Sequence, residues 1–265
     1  MSWSATQYSK FEAERNRPIR DLLAQLPLEG VRTAADLGCG PGNSTELLLE
    51  RYPNALITAM DSSSDMIDAA RKRLPAVSFE LADIATWDNP GPFDVILANA
   101  SLQWVRDHAA LLPKLVAKLS PGGALAIQMP DNYNEPAHQA MREIAANGPW
   151  KDKLARIGLA PRNDATWYFG MLREIAGSVD VWRTTHHHPL PGGPAAVVEW
   201  FKGSGLSPFV DALEGEERAE YLARYQAAIA EAYTVFPDGT VLLPFPRLFI
   251  VATANRSAAE SVGPR

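Results

Sequence analysis

Apolar residues along this chain follow two rhythms. Short continuous apolar runs alternate with stretches whose apolar positions recur every three or four residues. The runs Thr33–Leu37, Ala55–Met60, Val77–Leu81, Phe93–Asn99 and Ala124–Met129 read as five strands. Phe93–Asn99 reads as a strand covered on both faces, with Val95–Ala98 apolar without a break. Before the first run, Ile19, Leu22, Leu23 and Leu26 form a helical stripe that stops near Pro27. Asn43 with Glu46 reads as a capping pair before a helix over Thr45–Arg51. Ser62 reads as the cap of a helix carrying Met66, Ile67, Ala70 and Leu74. A further helix is expected from about Asp107 to Leu119, and Pro121-Gly122-Gly123 then turns the chain into the fifth strand. Strands alternating with helices predict an α/β doubly wound sheet. Right-handed crossovers collect the loops after the strands on one edge, where such sheets bind ligands.

Beyond Met129 the alternation stops. Asp131 to about Gly177 reads as an inserted, mostly helical segment rich in Trp, Tyr and His. Val179–His188 reads as a sixth strand, Pro189–Pro194 as a linker, and Glu199–Tyr233 as helical with a break at Gly203–Pro208. Leu248–Ala254 reads as the last strand. At the other end, Tyr8, Phe11 and Arg15 share one helical face in an arm over residues 1–16, and Pro18 suits a first helical turn. The expected organisation is an arm with a first helix (1–30), a main domain (31–254) with helical insertions at about 131–177 and 195–240, and a disordered tail (255–265).

Composition narrows the class. The 265 residues suit one elaborated domain, and 46% hydrophobic content suits an ordinary core. A net charge of −6 argues against general nucleic-acid binding but permits a small anionic substrate. The single cysteine, Cys39, excludes an intrachain disulfide and agrees with a reducing compartment. The opening Met-Ser-Trp-Ser-Ala-Thr-Gln has no basic-then-apolar pattern, and no apolar run approaches a membrane span. The expectation is a cytoplasmic protein without membrane or nucleic-acid partners, monomeric or weakly oligomeric.

The most specific string is Ala35-Asp36-Leu37-Gly38-Cys39-Gly40-Pro41-Gly42-Asn43-Ser44-Thr45. Its alternate glycines let a ligand touch the backbone. A dinucleotide loop would read G-x-G-x-x-G, whereas Asn43 stands where that third glycine belongs. Asp36 at the strand end suits an ammonium-bearing ligand better than a diphosphate. The loop therefore points to S-adenosylmethionine, with Asp36, Gly38 and Gly40 as contacts. Asp61 ends the second strand and can accept both ribose hydroxyls, or alternatively cap a helix. Asp83 suits the adenine amino group and the Ile84 N–H a ring nitrogen; the alternative is a turn aspartate.

Asn99-Ala100-Ser101-Leu102-Gln103-Trp104 follows the fourth strand, beside the reacting centre in this architecture. The Gln103 amide and the Trp104 indole N–H can orient a nucleophile there; the alternative is a capped helix start with Trp104 in the core. His186-His187-His188 cannot share one metal ion, because adjacent strand residues face opposite ways, and no metal is expected. An antiparallel last strand would bring Arg247 to the ligand edge, where it and His188 could bracket an anion; the alternative for Arg247 is a surface ion pair. Arg15, Arg17 and Arg20 form either a solvated face or part of a lid that turns Tyr8 and Arg17 to the ligands.

These strings resemble the class I S-adenosylmethionine-dependent methyltransferases. Arg15–Pro18, Asp61–Ser63, Ala98–Trp104, Gln128–Asn132, Met141–Glu143 and Phe245–Val251 carry a narrower likeness to carboxyl O-methyltransferases of a small tricarboxylate. That likeness runs from about Tyr8 to Ala252. It implies a Rossmann-like doubly wound sheet of seven strands with the last antiparallel. It implies cofactor contacts from Gly38, Asp61, Ser62, Met66, Asp83, Ile84 and Asn99, and a tricarboxylate pocket under the N-terminal arm and the inserted helices. Tyr8, Arg17, Gln103, Trp104, His188 and Arg247 are the candidate substrate contacts. The chain departs from the family pattern at His186 and His187, where tyrosines are usual. An acceptor carboxylate is already ionised at neutral pH, so no catalytic general base is expected. Two alternatives remain open: another small acid or hydroxyl acceptor, and a non-catalytic cofactor-binding protein.

Overall fold

The computed structural model describes residues 12–157 and 163–256. Tyr8, Phe11 and the tail Ser257–Arg265 lie outside them. The described chain divides into two compact units, one built from 12–130, 163–184 and 247–256, the other from 131–157 and 185–246.

The seven strands are β1 (Thr33–Leu37), β2 (Leu56–Asp61), β3 (Ser78–Leu81), β4 (Phe93–Asn99), β5 (Leu119–Pro130), β6 (Ser178–Pro191) and β7 (Thr240–Thr253). Their order in the sheet is β3-β2-β1-β4-β5-β7-β6. Neighbours among β1–β5 pair in parallel, and β7 runs antiparallel to β5. This is the doubly wound α/β sheet that the alternation predicts. In the first unit, α1 (Glu12–Ala24) and α2 (Asn43–Arg51) cover one face. Their Ile19, Leu22, Leu23, Leu47 and Leu48 meet Ala34, Val95, Leu97, Ala126, Phe249 and Val251. Each fully buried leucine or isoleucine there contributes about 1.5–3 kcal/mol. The other face takes α4 (His108–Ala117) and α7 (Ala165–Leu172) on Ile96, Ala98, Leu125, Ile127, Leu248 and Ile250. A third helix, α3 (Ser64–Arg73), packs Ile67 and Ala70 beside Cys39 and Ala59.

Four local expectations change. Thr45 is not the first residue of α2: the helix starts at Asn43, its cap is Gly42 at φ +91°, and no side chain caps it. Asn43 bonds Asn16 and Glu46 bonds Arg73 instead, so tertiary partners outcompete the capping pair. Ser62 does not cap α3 either; that position is Ser63, held by its N–H to Asp61. Strand β5 begins at Leu119, five residues early, because Gly122 at φ +75° and Gly123 absorb an irregularity rather than a turn. A Cβ at Gly123 would lie 2.8 Å from the Phe93 carbonyl. Strand β7 begins at Thr240, well before Leu248. Pro244 and Pro246 mask it in the pattern, yet the Pro246 carbonyl still accepts from Asp131 N at 2.8 Å.

The segment 131–177 is shared between the two units. Its end, α7, sends Tyr168 and Leu172 into the core of the sheet unit. The second unit keeps α5 (Pro136–Asn147), α6 (Lys151–Leu154), α8 (Gly193–Lys202), α9 (Ser207–Asp211) and α10 (Gly215–Ala232). Helix α8 starts inside the expected linker. Tyr221 Oη donates to the Met141 carbonyl at 2.9 Å, and Trp150 packs edge-on against Tyr221.

Candidate active site

The glycine loop is built as its composition demands. Gly38, Gly40 and Gly42 have φ of +77°, +56° and +91°. A Cβ on Gly38 would fall 2.4 Å from Ser101 Cβ, so only glycine lets the loop approach the end of β4. The N–H groups of Gly38 and Cys39 donate to the Met60 carbonyl at 2.8 and 2.9 Å, which fastens the loop to β2. Among the described residues, nothing lies within 4 Å of where a Gly40 Cβ would stand.

Asp36 is fully buried beneath this loop. Its Oδ2 accepts from Ser44 Oγ and Thr45 Oγ1, both at 2.7 Å. Burial pushes its carboxyl up to about 6 against those two donors. Its Oδ1 is buried without a partner among the described residues. A buried acceptor of this kind suits a cationic ligand group. Ser44 and Thr45 were legible as residues of the loop but not as partners of the acid, because helix geometry sets that contact.

Asp61 does two jobs of connection. Its Oδ2 accepts from Gly40 N and its Oδ1 from Ser63 N, both at 2.9 Å. Burial raises its pKa and these N–H groups oppose the rise. A carboxylate has about four acceptor sites, so capacity remains for a further donor. Met66 is buried and Ser62 is exposed. Asp83 is exposed, and its Oδ1 accepts from Ala85 N at 2.8 Å, so the turn-aspartate arrangement is formed. The Ile84 side chain reaches the loop, 3.5 Å from where a Gly38 Cβ would stand.

The period-two alternation of the strands gives the site its axis. Asp36 stands two residues after Ala34, Asn99 two after Leu97, Gln128 two after Ala126, and Arg247 two before Phe249. All four reference residues belong to the core under α1 and α2. The four polar residues therefore share that sheet face. They form a row at the carboxyl ends of β1, β4 and β5, continued by β7 through the pairing of Pro130 with Arg247. All four are buried, Arg247 at 4% exposure, which sets aside its reading as a surface ion pair. Arg247 Nη1 donates to Gln128 Oε1 at 3.2 Å. Asn99 Oδ1 and Gln128 Nε2 are buried with no partner among the described residues. Gln128 escaped the reading of the chain as a site residue. Its signal was a fully polar side chain in an otherwise apolar buried strand.

The segment after β4 is held in a constrained shape. Ala100 adopts φ +50°, a conformation costly for a residue with a Cβ. Its N–H donates to the Gln128 carbonyl at 2.8 Å, and its own carbonyl accepts from Gln103 Nε2 at 2.5 Å. Ser101 Oγ and Gln103 Oε1 are buried and have no partner among the described residues. Leu102 fills the core, whereas Trp104 is only half-buried. His108 anchors this turn. Its Nε2 meets the Leu102 carbonyl at 2.8 Å and its Nδ1 the Tyr168 hydroxyl at 2.6 Å. A carbonyl only accepts, so Nε2 carries the hydrogen. His108 was missed because its partner Tyr168 lies sixty residues away.

The remaining candidates are placed separately. Tyr8 lies outside the described residues, and Arg17 is exposed on α1. Its neighbour Asn16 is the buried one, accepting from Asn43 Nδ2 at 2.7 Å, so α1 is tied to the glycine loop through Asn16. Arg73 joins both Glu12 of α1 and Glu46 of α2. His188 belongs to the other unit, where it is buried and stacks on Trp200 at 4.7 Å. His186 is buried on the same side and His187 is exposed, as strand alternation requires. Among the described residues no three His, Cys, Asp or Glu side chains gather as a metal site. No described helix is long and apolar enough to cross a membrane.

A methyltransferase domain model matches residues 34–123, the span from β1 into β5. A trans-aconitate 2-methyltransferase of Methylobacterium nodulans is 51% identical over 256 residues, covering 96% of this chain and 99% of that protein. The chain belongs to the trans-aconitate 2-methyltransferase family. Solved structures share the fold at low identity. The YcgJ protein of Bacillus subtilis has a TM-score of 0.60 at 10% identity, covering 91% of this chain and 100% of its own. Coclaurine N-methyltransferase bound to S-adenosylhomocysteine has a TM-score of 0.54 at 19% identity, covering 90% of this chain and 72% of its own. The trans-aconitate 2-methyltransferase likeness covers both units of the described chain, including Gln128 and Arg247.

Proposed function

We propose that this chain transfers a methyl group from S-adenosylmethionine to a carboxylate oxygen of trans-aconitate, forming a monomethyl ester. The observation that carries the reading is the polar row on one sheet face. An unsatisfied buried acceptor, Asp36 Oδ1, stands at its β1 end, and a buried guanidinium, Arg247, at its β7 end. A ligand with an ammonium group suits the first, and a multiply anionic acceptor suits the second.

Asp36, Gly38, Gly40, Asp61, Ser62, Met66, Asp83, Ile84 and Asn99 are assigned to the cofactor. When bound, S-adenosylmethionine supplies an electrophilic sulfonium methyl. The residues of the chain bind, orient and exclude water. Gln103, Trp104, His188, Arg247, Arg17 and Tyr8 are assigned to the acceptor. No general base is required, because a carboxylate with an ordinary pKa near 4 is ionised at neutral pH. Orientation of the reacting groups can remove about 7–11 kcal/mol from the barrier. The His108 anchor and the constrained Ala100 keep the Gln103–Trp104 segment from drifting out of alignment.

The test is methyl transfer by the purified chain from labelled S-adenosylmethionine to a panel of small acids and alcohols. Transfer to trans-aconitate with a base-labile product is expected. A base-stable product, or transfer only to a hydroxyl compound, would replace the acceptor. An inert chain that still binds S-adenosylhomocysteine would make it a non-catalytic binding protein.

A further inference from the structure

Gln128 is a buried group whose hydrogen-bonding capacity is half used. Its side chain is fully buried near the end of β5, directly in register with Asn99. An arginine side chain donates and cannot accept. The contact with Arg247 Nη1 therefore fixes the amide orientation: Oε1 faces the guanidinium, and the Nε2 donor turns away from it. That donor is buried without a partner among the described residues. A buried amide N–H left unpaired is unfavourable, so its retention calls for an acceptor that arrives with a ligand. The neighbouring charge is positive, which selects an anionic oxygen.

We propose that Gln128 and Arg247 form a two-donor clamp on one non-reacting carboxylate of the acceptor. In the clamp Gln128 both donates from Nε2 and holds the guanidinium in position through Oε1. This inference rests on the proposed acceptor class. The clamped carboxylate is a spectator, because two donors on the reacting oxygen would withdraw the charge that makes it nucleophilic. The clamp also explains why Ala100 is held in its constrained turn. The Gln128 carbonyl receives the Ala100 N–H, so the clamp and the Gln103–Trp104 segment share one backbone support.

The test measures equilibrium binding of trans-aconitate to the protein saturated with S-adenosylhomocysteine, for wild type, Gln128→Met and Gln128→Glu. Gln128→Met keeps the volume and removes both hydrogen bonds. It should weaken trans-aconitate about 10- to 100-fold. Gln128→Glu keeps an acceptor for Arg247 but faces the ligand with an anion, and should weaken it at least as much. In both, S-adenosylhomocysteine affinity should stay within about two-fold, a check that the sheet edge is intact. Under turnover, KM should rise while kcat at saturation stays within about three-fold, a split that a merely structural role would not produce. Unchanged trans-aconitate affinity in Gln128→Met would overturn the proposal. Should both variants fail to fold, a crystal structure of the wild type with both ligands decides: a carboxylate oxygen about 3 Å from Nε2 is expected, and a carboxylate elsewhere overturns the clamp. Wild-type protein that binds S-adenosylhomocysteine but no tricarboxylate would instead refute the acceptor class.

Discussion

Asp36 shows how much one side chain decides. Burial lifts its carboxyl from the usual 3.8 to about 6 while Ser44 and Thr45 hold one oxygen. The folded carboxyl keeps its proton to higher pH than the unfolded one. Its contribution to stability is therefore full below about pH 4 and is lost as pH rises through about 6. Above that range the buried charge costs about 3 kcal/mol. Asp36→Asn removes this slope, so urea unfolding from pH 4 to 7 should show the variant gaining on wild type by about that amount. Ligand binding should run the other way. Wild type should bind S-adenosylhomocysteine more tightly above pH 6, where the carboxylate can meet the ligand ammonium, and the variant should show weaker binding without that rise. Gly38→Ala meets two obstacles, its φ of +77° and Ser101 Cβ at 2.4 Å. It should lose about 1–3 kcal/mol in the same unfolding assay and most of its S-adenosylhomocysteine affinity. Asp36 and the glycines were legible because their spacing is local. Gln128 was not, because its role depends on a hydrogen bond to Arg247 across 119 positions.

Among the elements, the strands β1 to β4 follow from short segments rich in apolar residues, and α4 begins after Asp107, whose carboxylate caps it. Errors gather where proline and glycine punctuate. The early start of β5 through Pro121-Gly122-Gly123 and of β7 through Pro244 and Pro246 could not be read from local pattern, because pairing with neighbouring strands overrides it. Helix α7 looked like part of the insertion, yet Tyr168 and Leu172 bury it on the sheet and Tyr168 meets His108. His108→Phe should break that link and take from the Leu102 carbonyl one of its two donors, leaving it the Val105 N–H. The expected loss is about 1–3 kcal/mol in denaturant unfolding. Methyl transfer should fall more than S-adenosylhomocysteine affinity, because the Gln103–Trp104 turn loosens while the glycine loop does not. Equal loss of both would remove the turn from the account.

At the scale of the whole molecule, the doubly wound order places Asp36, Asn99, Gln128 and Arg247 in one row although they span most of the chain. Alternation along each strand puts them on one face, and the antiparallel β7 returns Arg247 to the edge where β5 ends. The proposed function divides labour along that row, with the acid end assigned to the methyl donor and the guanidinium end to the anionic acceptor. The most direct measurement is calorimetric titration of Arg247→Gln beside wild type, first with S-adenosylhomocysteine and then with trans-aconitate on the saturated protein. Affinity for the first ligand should be unchanged and that for the second weakened about 100-fold or more. Unaltered trans-aconitate binding, or both ligands lost together, would contradict that division of labour.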